Sequence, residues 1–245
     1  MRLSQAWAIT RHDLTLIRRR RSIFAALIAL PVGVALGFPA LVHVIAVQSP
    51  PVGSATIISF VDAFSFWFVI GGAMLPTSIS AYSIVGEKVE KSLEPLLATP
   101  STDGEILLGK VLAAWLPSMI AIWAGAAAYM GLIDAITRGP LGYYYYPNLT
   151  IVAQVFVLAP LVAIVAIEGS VAISSRVQDV RSAQQMSGVL FLPLIILYVA
   201  AEIQVFPLDA RNSLLLAGIL AVIGLLLFSL GRRLFDRETI LTRWK

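Results

Sequence analysis

Six uncharged apolar windows, each long enough to cross a membrane as a helix, constrain the fold of this chain more than any other feature. Crossing roughly 30 Å of hydrocarbon takes about 20 apolar residues in a helix. Only 13% of the 245 residues are charged, about half the share in an average soluble domain. We therefore predict one all-α integral membrane domain, residues 1–245, with six transmembrane helices over Ser22–Val47, Ala63–Gly86, Val111–Ile133, Gly139–Ile167, Ser182–Ala201 and Asn212–Gly231.

Two of these windows need interpretation. The fourth opens with a loop, Gly139–Pro147, so its helix should begin near Asn148 and pass Glu168. The first is too long for the apolar core of a signal peptide and lacks a persuasive cleavage site. We expect it to be retained as a span.

The basic residues orient the helices. With both termini in the cytoplasm, all 18 Lys and Arg residues except Arg138 and Arg211 lie on the cytoplasmic side. Membrane proteins concentrate positive charge on that side, which favours this topology. It also accounts for the net charge of +4 without nucleic acid, so we expect no nucleic-acid partner.

Two cytoplasmic segments are amphipathic. In residues 1–21, Leu3, Trp7, Leu14 and Ile17 alternate with charged residues that end in the run Arg18–Arg21. This pattern predicts a helix in the membrane interface, with its arginines at anionic headgroups, although a plain topogenic basic cluster is the simpler alternative. The other segment, residues 86–110, reads GEKVEKSLEPLLATPSTDGEILLGK and predicts a short amphipathic helix between spans 2 and 3 that docks on another protein.

The predicted spans contain few polar groups. Glu168 is the one carboxylate placed well within a span, and an intramembrane acid is a candidate functional residue. A protonated Glu168 bonded to a neighbouring helix is the structural alternative. Gln154 should lie on about the same face, since fourteen residues are close to four helical turns. Spans 2 and 5 also carry polar and small-residue stripes, which indicate either a substrate path or tight helix packing; the candidate path residues are Ser59, Asp62, Phe66, Thr77, Ser80, Gln184, Phe191 and Tyr198.

Several kinds of chemistry find no support in the sequence. The chain has no cysteine, and its two histidines, His12 and His43, form no metal-ligand spacing. It contains no G-x-x-x-x-G-K-[ST] phosphate loop and no Ser-His-acid arrangement. We therefore predict no catalytic, cofactor or metal site, and an integral membrane enzyme is the weakest of the functional classes considered.

The 86–110 segment resembles the cytoplasmic coupling segment of type-2 ATP-binding-cassette (ABC) exporter permeases, in which a run like E-K-x-x-x-x-L-E-x-L-L-x-T-P precedes E-I-L-x-G-K. The basic pre-span helix, the stretch ISSRVQDVRSAQQMSGVLFLPL and the tail LFDRETILTRWK extend the resemblance over nearly the whole chain. Within that family, the chain bears a closer likeness to the small prokaryotic branch that includes sodium and multidrug export permeases.

The resemblance implies a transporter subunit without its own ATPase, working as a homodimer or with a homologous permease. Two copies of a separate ATP-binding subunit would bind ATP and Mg. It also implies that Glu87, Glu90 and Glu94 face basic rims of that subunit while Leu93, Leu96 and Leu97 fill its cleft. Spans 2 and 5 should then face the two-fold axis. We expect a multi-pass protein of a prokaryotic cell membrane that exports an amphipathic or lipid-like molecule, with small ions left open. The alternative is a non-transporting scaffold or assembly factor that recruits a partner through the same segment.

Overall fold

The computed structural model describes residues 3–19, 21–44, 53–82, 85–86, 102–177, 179–203 and 205–234. Helix accounts for 90% of the structure, and these residues form no strand. In chain order the α-helices are α1 (Leu3–Arg19), α2 (Arg21–His43), α3 (Ser54–Ser65), α4 (Trp67–Ser80), α5 (Asp103–Leu141), α6 (Leu149–Val152), α7 (Ala159–Arg176), α8 (Val180–Gly188), α9 (Leu192–Glu202) and α10 (Ala210–Leu234). A π-helical stretch, Ala153–Leu158, joins α6 to α7, and a 3₁₀ turn, Val189–Phe191, joins α8 to α9.

Six helical stretches of the described chain are long and apolar enough to cross a membrane, which confirms the predicted number and order. Their orientation, and with it the cytoplasmic position of both termini, stays a prediction. We number them spans 1 to 6: Ile23–His43, Ser54–Ser80, Asp103–Leu141, Leu149–Arg176, Val180–Glu202 and Ala210–Leu230.

Spans 2 and 3 begin well before their predicted windows because charged residues are accommodated inside the helices. Span 2 starts at Ser54 rather than Ala63, and Asp62 lies inside it. Span 3 is a single helix of 39 residues, about 58 Å long at 1.5 Å per residue. That exceeds the thickness of the hydrocarbon core, so this helix extends beyond it.

Close approach of small residues holds the first four spans together. A Cβ on Gly125 of span 3 would lie 2.7 Å from the Cβ of Pro31 in span 1, and one on Gly72 of span 2 would lie 3.2 Å from the carbonyl oxygen of Ala159 in span 4. Such contacts replace the hydrophobic effect as the means of joining helices in lipid. Glycine at these two positions therefore sets the spacing of spans 1 to 4.

Span 4 is irregular where proline removes a donor. In its π-helical stretch each N–H bonds the carbonyl five residues back, as the Ala159 N–H does with Gln154. Pro160 has no N–H, which leaves the carbonyl of Val155 free. The Trp123 Nε1–H of span 3 donates to that oxygen at 3.1 Å. A side chain of a neighbouring span thus satisfies the backbone group that proline exposes.

Spans 5 and 6 lie at the edge of the bundle. None of the residues of α9 is buried, and its exposed apolar side chains recur at helical spacing: Leu192, Ile195, Ile196, Val199 and, just beyond the helix, Ile203. Most of span 6 is likewise exposed. These surfaces are available to lipid or to another transmembrane chain.

Candidate functional site

The six predicted ATPase-coupling residues, Glu87, Glu90, Leu93, Glu94, Leu96 and Leu97, lie outside the described residues. Their conformation and their role stay predictions. The structure does describe the two points at which this segment joins the bundle, which we call the first anchor (Ala81, Tyr82, Val85 and Gly86) and the second anchor (Thr102–Lys110).

The first anchor is buried against the connection between spans 4 and 5. The Ser174 hydroxyl of span 4 donates to the carbonyl of Ala81 at 2.8 Å, and the N–H of Val85 donates to Ser174 Oγ at 3.1 Å. Val85 is fully buried and packs with Ala81 and with Ala183 of span 5. A displacement of the 86–110 segment would therefore move spans 2, 4 and 5 together.

The second anchor is the capped N-terminus of span 3. The Glu105 carboxylate accepts from the N–H of Thr102 at 2.9 Å, and the Thr102 side chain accepts in return from the Glu105 N–H, a reciprocal capping box. Asp103 belongs to the first turn of α5. From the sequence we expected Asp103 in a turn over Pro100–Gly104, beyond the amphipathic helix of the 86–110 segment. That placement was wrong, because Thr102 caps α5 one residue before Asp103.

The N-terminal helix α1 packs on this second anchor. The buried hydroxyl of Thr10 donates to the carbonyl of Gly109 at 3.1 Å, and Lys110 Nζ lies 3.8 Å from Asp13 Oδ2. A Cβ on Gly109 would come within 2.9 Å of the Ala6 carbonyl oxygen. The helix backbones therefore touch, and α1 is a brace for the start of span 3.

The opposite side of α1 carries the residues expected to face the membrane interface. Leu3 is 74% exposed and Trp7 is 53% exposed, and Arg11 and Arg18 are also exposed. Leu14 and Ile17 are half-buried. This arrangement leaves one apolar and basic face free for lipid, while placement in the interface itself stays a prediction.

Aromatic rings bring the candidate path residues of spans 2 and 5 together within one protomer. The Phe66 and Tyr198 rings are stacked with centroids 6.0 Å apart, and Phe191 packs against the same cluster. Phe66 is only 1% exposed. In this conformation its ring is enclosed by the protomer rather than presented to a second copy.

The polar residues of the span 2 stripe are also internally satisfied. Thr77 and Ser80 are buried, and the carbonyl of Thr77 accepts from the hydroxyls of Ser80 at 3.3 Å and Ser170 at 3.5 Å. Ser170 of span 4 in turn bonds the hydroxyl of Ser187 in span 5 at 2.9 Å. These bonds connect spans 2, 4 and 5. Ser59 and Gln184, by contrast, are exposed, so the predicted stripe is not one continuous surface.

Asp62 is held by the loop between spans 3 and 4. It accepts from the Tyr145 hydroxyl at 2.6 Å, and the Asn148 amide lies at 3.5 Å. Burial, together with the bond to Asp62, raises the pKa of the Tyr145 phenol. Tyr145 therefore keeps its proton and remains a donor. Asp62 connects span 2 to this loop, and its contacts are those of a structural residue.

Glu168 and Gln154 have different neighbours. Gln154 accepts from the Ser65 hydroxyl at 2.8 Å and donates to the carbonyl of Leu208 at 3.0 Å. Glu168 is 7% exposed, and its Oε2 has no hydrogen-bond partner among the described residues. The π-helical stretch between them changes the residues per turn, so the fourteen-residue spacing does not put both side chains in one environment.

The described part of the chain contains no group of three or more His, Cys, Asp or Glu residues able to hold a metal ion.

Comparison with known proteins identifies the family of this chain. The family model described as ABC-2 family transporter protein matches residues 7–215. The chain belongs to the ABC-2 transporter family. None of the curated proteins compared with the chain matches it.

Membership makes this ABC-2 chain a multi-pass membrane permease component of an ABC transporter, and it implies an ABC ATP-binding subunit as partner. The match includes most of α1, both anchors and all or part of each span. Sequence analysis missed the anchor contacts of Ser174, Thr10 and Gly109. Gly109 and Ala113 form a small-x-x-x-small pair of the type that allows close helix packing, and that spacing was the available signal.

Proposed function

We propose that this chain is the permease subunit of an ATP-driven exporter of a prokaryotic cell membrane. Two copies, or one copy with a homologous permease, form the substrate path, and two ATP-binding subunits drive it from the cytoplasm. ATP and Mg are bound by those subunits. The observation that carries the proposal is the attachment of the 86–110 segment at both ends, through buried hydrogen bonds at the first anchor and a capped helix at the second.

The two anchors supply a mechanical reason for this role. A permease driven from outside must receive motion as a rigid-body shift. Ser174 joins the first anchor to span 4, whereas the second anchor continues directly into span 3 and is braced by α1. A push on the segment between them is therefore passed to span 4 through the first anchor, and to span 3 and α1 through the second. A flexible loop with unbonded ends would absorb the same push.

Association with the ATP-binding subunit tests the coupling residues. Leu93→Asp should weaken the affinity for the ATP-binding subunit more than a hundredfold and so abolish copurification. The reason is that an unpaired charge buried in an apolar cleft costs about 3 kcal/mol or more. Glu94→Lys should weaken it about fivefold, the effect of roughly 1 kcal/mol at a salt-screened rim. Leu93→Met is the matched control, because it keeps an apolar side chain of similar volume, and should bind as the native chain does.

The alternative is a membrane scaffold that recruits its partner through the same segment. Both functions predict loss of association in Leu93→Asp, so association does not separate them. Substrate-stimulated ATP hydrolysis by the reconstituted complex does, because a scaffold gives none. Robust ATP hydrolysis by the purified permease alone would contradict both.

The exposed stripe of span 5 supports assembly of two copies along this span. The native chain has no cysteine, so single cysteines report contacts cleanly. A cysteine at Ile196, which is 67% exposed, should form a crosslink between copies. One at Leu226 of span 6, 56% exposed, is the matched control on another span. Crosslinking at Leu226 but not at Ile196 would place the interface elsewhere. Phe66 is unsuitable as a probe, since it is enclosed within the protomer.

A further inference from the structure

A cavity of about 540 Å³ lies between spans 3, 4 and 6, away from the stripes of spans 2 and 5. Ligand pockets of this size typically combine an apolar wall with one or a few polar groups that fix orientation. Here the polar group is Glu168 of span 4. The other lining residues are apolar, among them Val111, Trp115, Leu161, Leu220, Leu225 and Phe228.

Glu168 is the feature that distinguishes this cavity from an ordinary crevice between helices. Its side chain is 7% exposed, and Oε2 is buried without a hydrogen-bond partner among the described residues. Gly224 of span 6 leaves space beside the carboxyl group, because a Cβ there would lie 4.0 Å from Oε2. Buried carboxyl groups in proteins normally have a partner. No described residue supplies that partner, whereas an occupant of the cavity can.

The described cationic side chains at the ends of spans 3 and 4 have other environments. Lys110 of span 3 has its ammonium beside Asp13. Arg176 is exposed at the end of span 4. Among the described side chains, none supplies a positive charge to Glu168.

The chemistry of the wall selects among possible occupants. A hydrocarbon chain would fill the cavity and leave the carboxyl group without a partner. An anionic amphiphile would bring a second negative charge into a medium of low dielectric constant, which is strongly unfavourable. A single positive charge on an apolar body satisfies both the carboxylate and the wall.

We propose that this cavity binds an amphipathic monocation, with its charged nitrogen paired to Glu168 and its apolar body against spans 3 and 6. Treating that ligand as cargo rests on the proposed exporter function, whereas the binding site itself does not. Binding is therefore measured with the permease alone in lipid nanodiscs, without an ATP-binding subunit, so that failure of the site and failure of ATP coupling are distinguishable.

The probe is N-dansylcadaverine, which carries one primary ammonium group, and its neutral control is N-dansylhexylamide, in which a methyl group replaces the ammonium. Trp115 lines the cavity, and the Trp123 ring lies 5.9 Å from it, so both serve as donors for energy transfer to the dansyl group. The signal from empty nanodiscs is subtracted. We expect saturable transfer with the amine, and at least tenfold weaker binding of the neutral analogue.

Three variants test the assignment to Glu168. Glu168→Gln keeps the shape of the side chain and should weaken the amine at least tenfold without changing the neutral analogue. Ala221→Phe fills the cavity with Glu168 intact and should abolish binding of the amine. Glu202→Gln removes an acid at the end of span 5, outside the cavity, and should bind as the native chain does. The thermal unfolding midpoint of each variant shows whether it is folded.

Equal binding of the amine and its neutral analogue would overturn the proposal. So would native-like binding of the amine by folded Glu168→Gln. If Glu168→Gln fails to fold, Ala221→Phe decides: unchanged binding there refutes the cavity, and loss of binding supports it.

Discussion

Replacement of Gly109 by alanine should loosen the brace that α1 provides to the start of span 3. The new methyl group would lie 2.9 Å from both the Ala6 carbonyl oxygen and the Cβ of Ile9, closer than real Cβ contacts allow. Overpacking of this kind costs about 1–3 kcal/mol. The higher helix propensity of alanine does not offset this cost, because span 3 is helical whether or not α1 is docked. Even the lower end, about 1 kcal/mol, shifts the equilibrium towards the undocked helix about fivefold.

Thiol labelling measures that shift directly. Thr10 is fully buried between α1 and span 3, so a cysteine at this position reacts with a maleimide only when α1 separates from the bundle. In the Gly109→Ala background the reaction should be about fivefold faster. The same substitution at Gly131 is the matched control, because a methyl group added to this glycine of the same helix would meet no heavy atom within 4 Å. Equal labelling rates in the two backgrounds would refute the close contact.

Three further substitutions test the contacts between spans. Tyr145→Phe removes the donor to Asp62 and should lower the free energy of unfolding by about 1.5–3 kcal/mol, whereas Tyr143→Phe, on an exposed ring, should not change it. Trp123→Phe leaves the Val155 carbonyl without its side-chain donor and should cost about 1–3 kcal/mol by the same measurement. Hydrogen bonds from Ser182 lower the pKa of Asp179, the N-cap of α8. The protection factors of the amides of residues 180–184, which are corrected for the intrinsic pH dependence of exchange, should therefore fall as the pH falls through that lowered value, and Asp179→Asn should remove this pH dependence.

Hydropathy alone predicted six spans in the correct order, because a stretch of about 20 apolar residues has few alternatives to a membrane helix. It also placed the start of span 4, since Asn148 accepts a bond from the N–H of Ile151 and caps the helix there. It failed at the start of span 2. A window of uncharged residues cannot begin before Ala63, because Asp62 is charged. In the protein the helix begins at Ser54 and includes Asp62, whose carboxylate accepts a hydrogen bond from Tyr145, 83 positions away.

Helical angle arithmetic was less successful within the spans. A constant 100° per residue relates Gln154 to Glu168 only if the helix between them is regular, and the π-helical stretch Ala153–Leu158 is not. The stripes of spans 2 and 5 do meet, at Phe66 and Tyr198, but inside one protomer. Periodicity shows that each of the two spans has a face of polar and small residues, but it does not show what that face contacts.

The contacts at the anchors could not be predicted from local sequence. The hydroxyl of Thr10 bonds a carbonyl 99 residues away, and Ser174 reaches Val85 across 89 residues. Serine and threonine are frequent in membrane helices and have several possible partners. Only the packing of the whole bundle determines which of these hydrogen-bond partners each hydroxyl takes.

Protection of a cysteine at Leu93 tests the central claim most directly, because it measures whether the 86–110 segment is the surface that the ABC ATP-binding subunit covers. The labelling rate is compared for the permease alone and for the permease saturated with its ATP-binding subunit, in nanodiscs. A cysteine at Tyr144, which is 61% exposed in the loop between spans 3 and 4, is the control. We predict that the bound subunit slows labelling at Leu93 at least tenfold and leaves labelling at Tyr144 unchanged. A bound subunit that leaves the labelling rate at Leu93 unchanged would contradict the account.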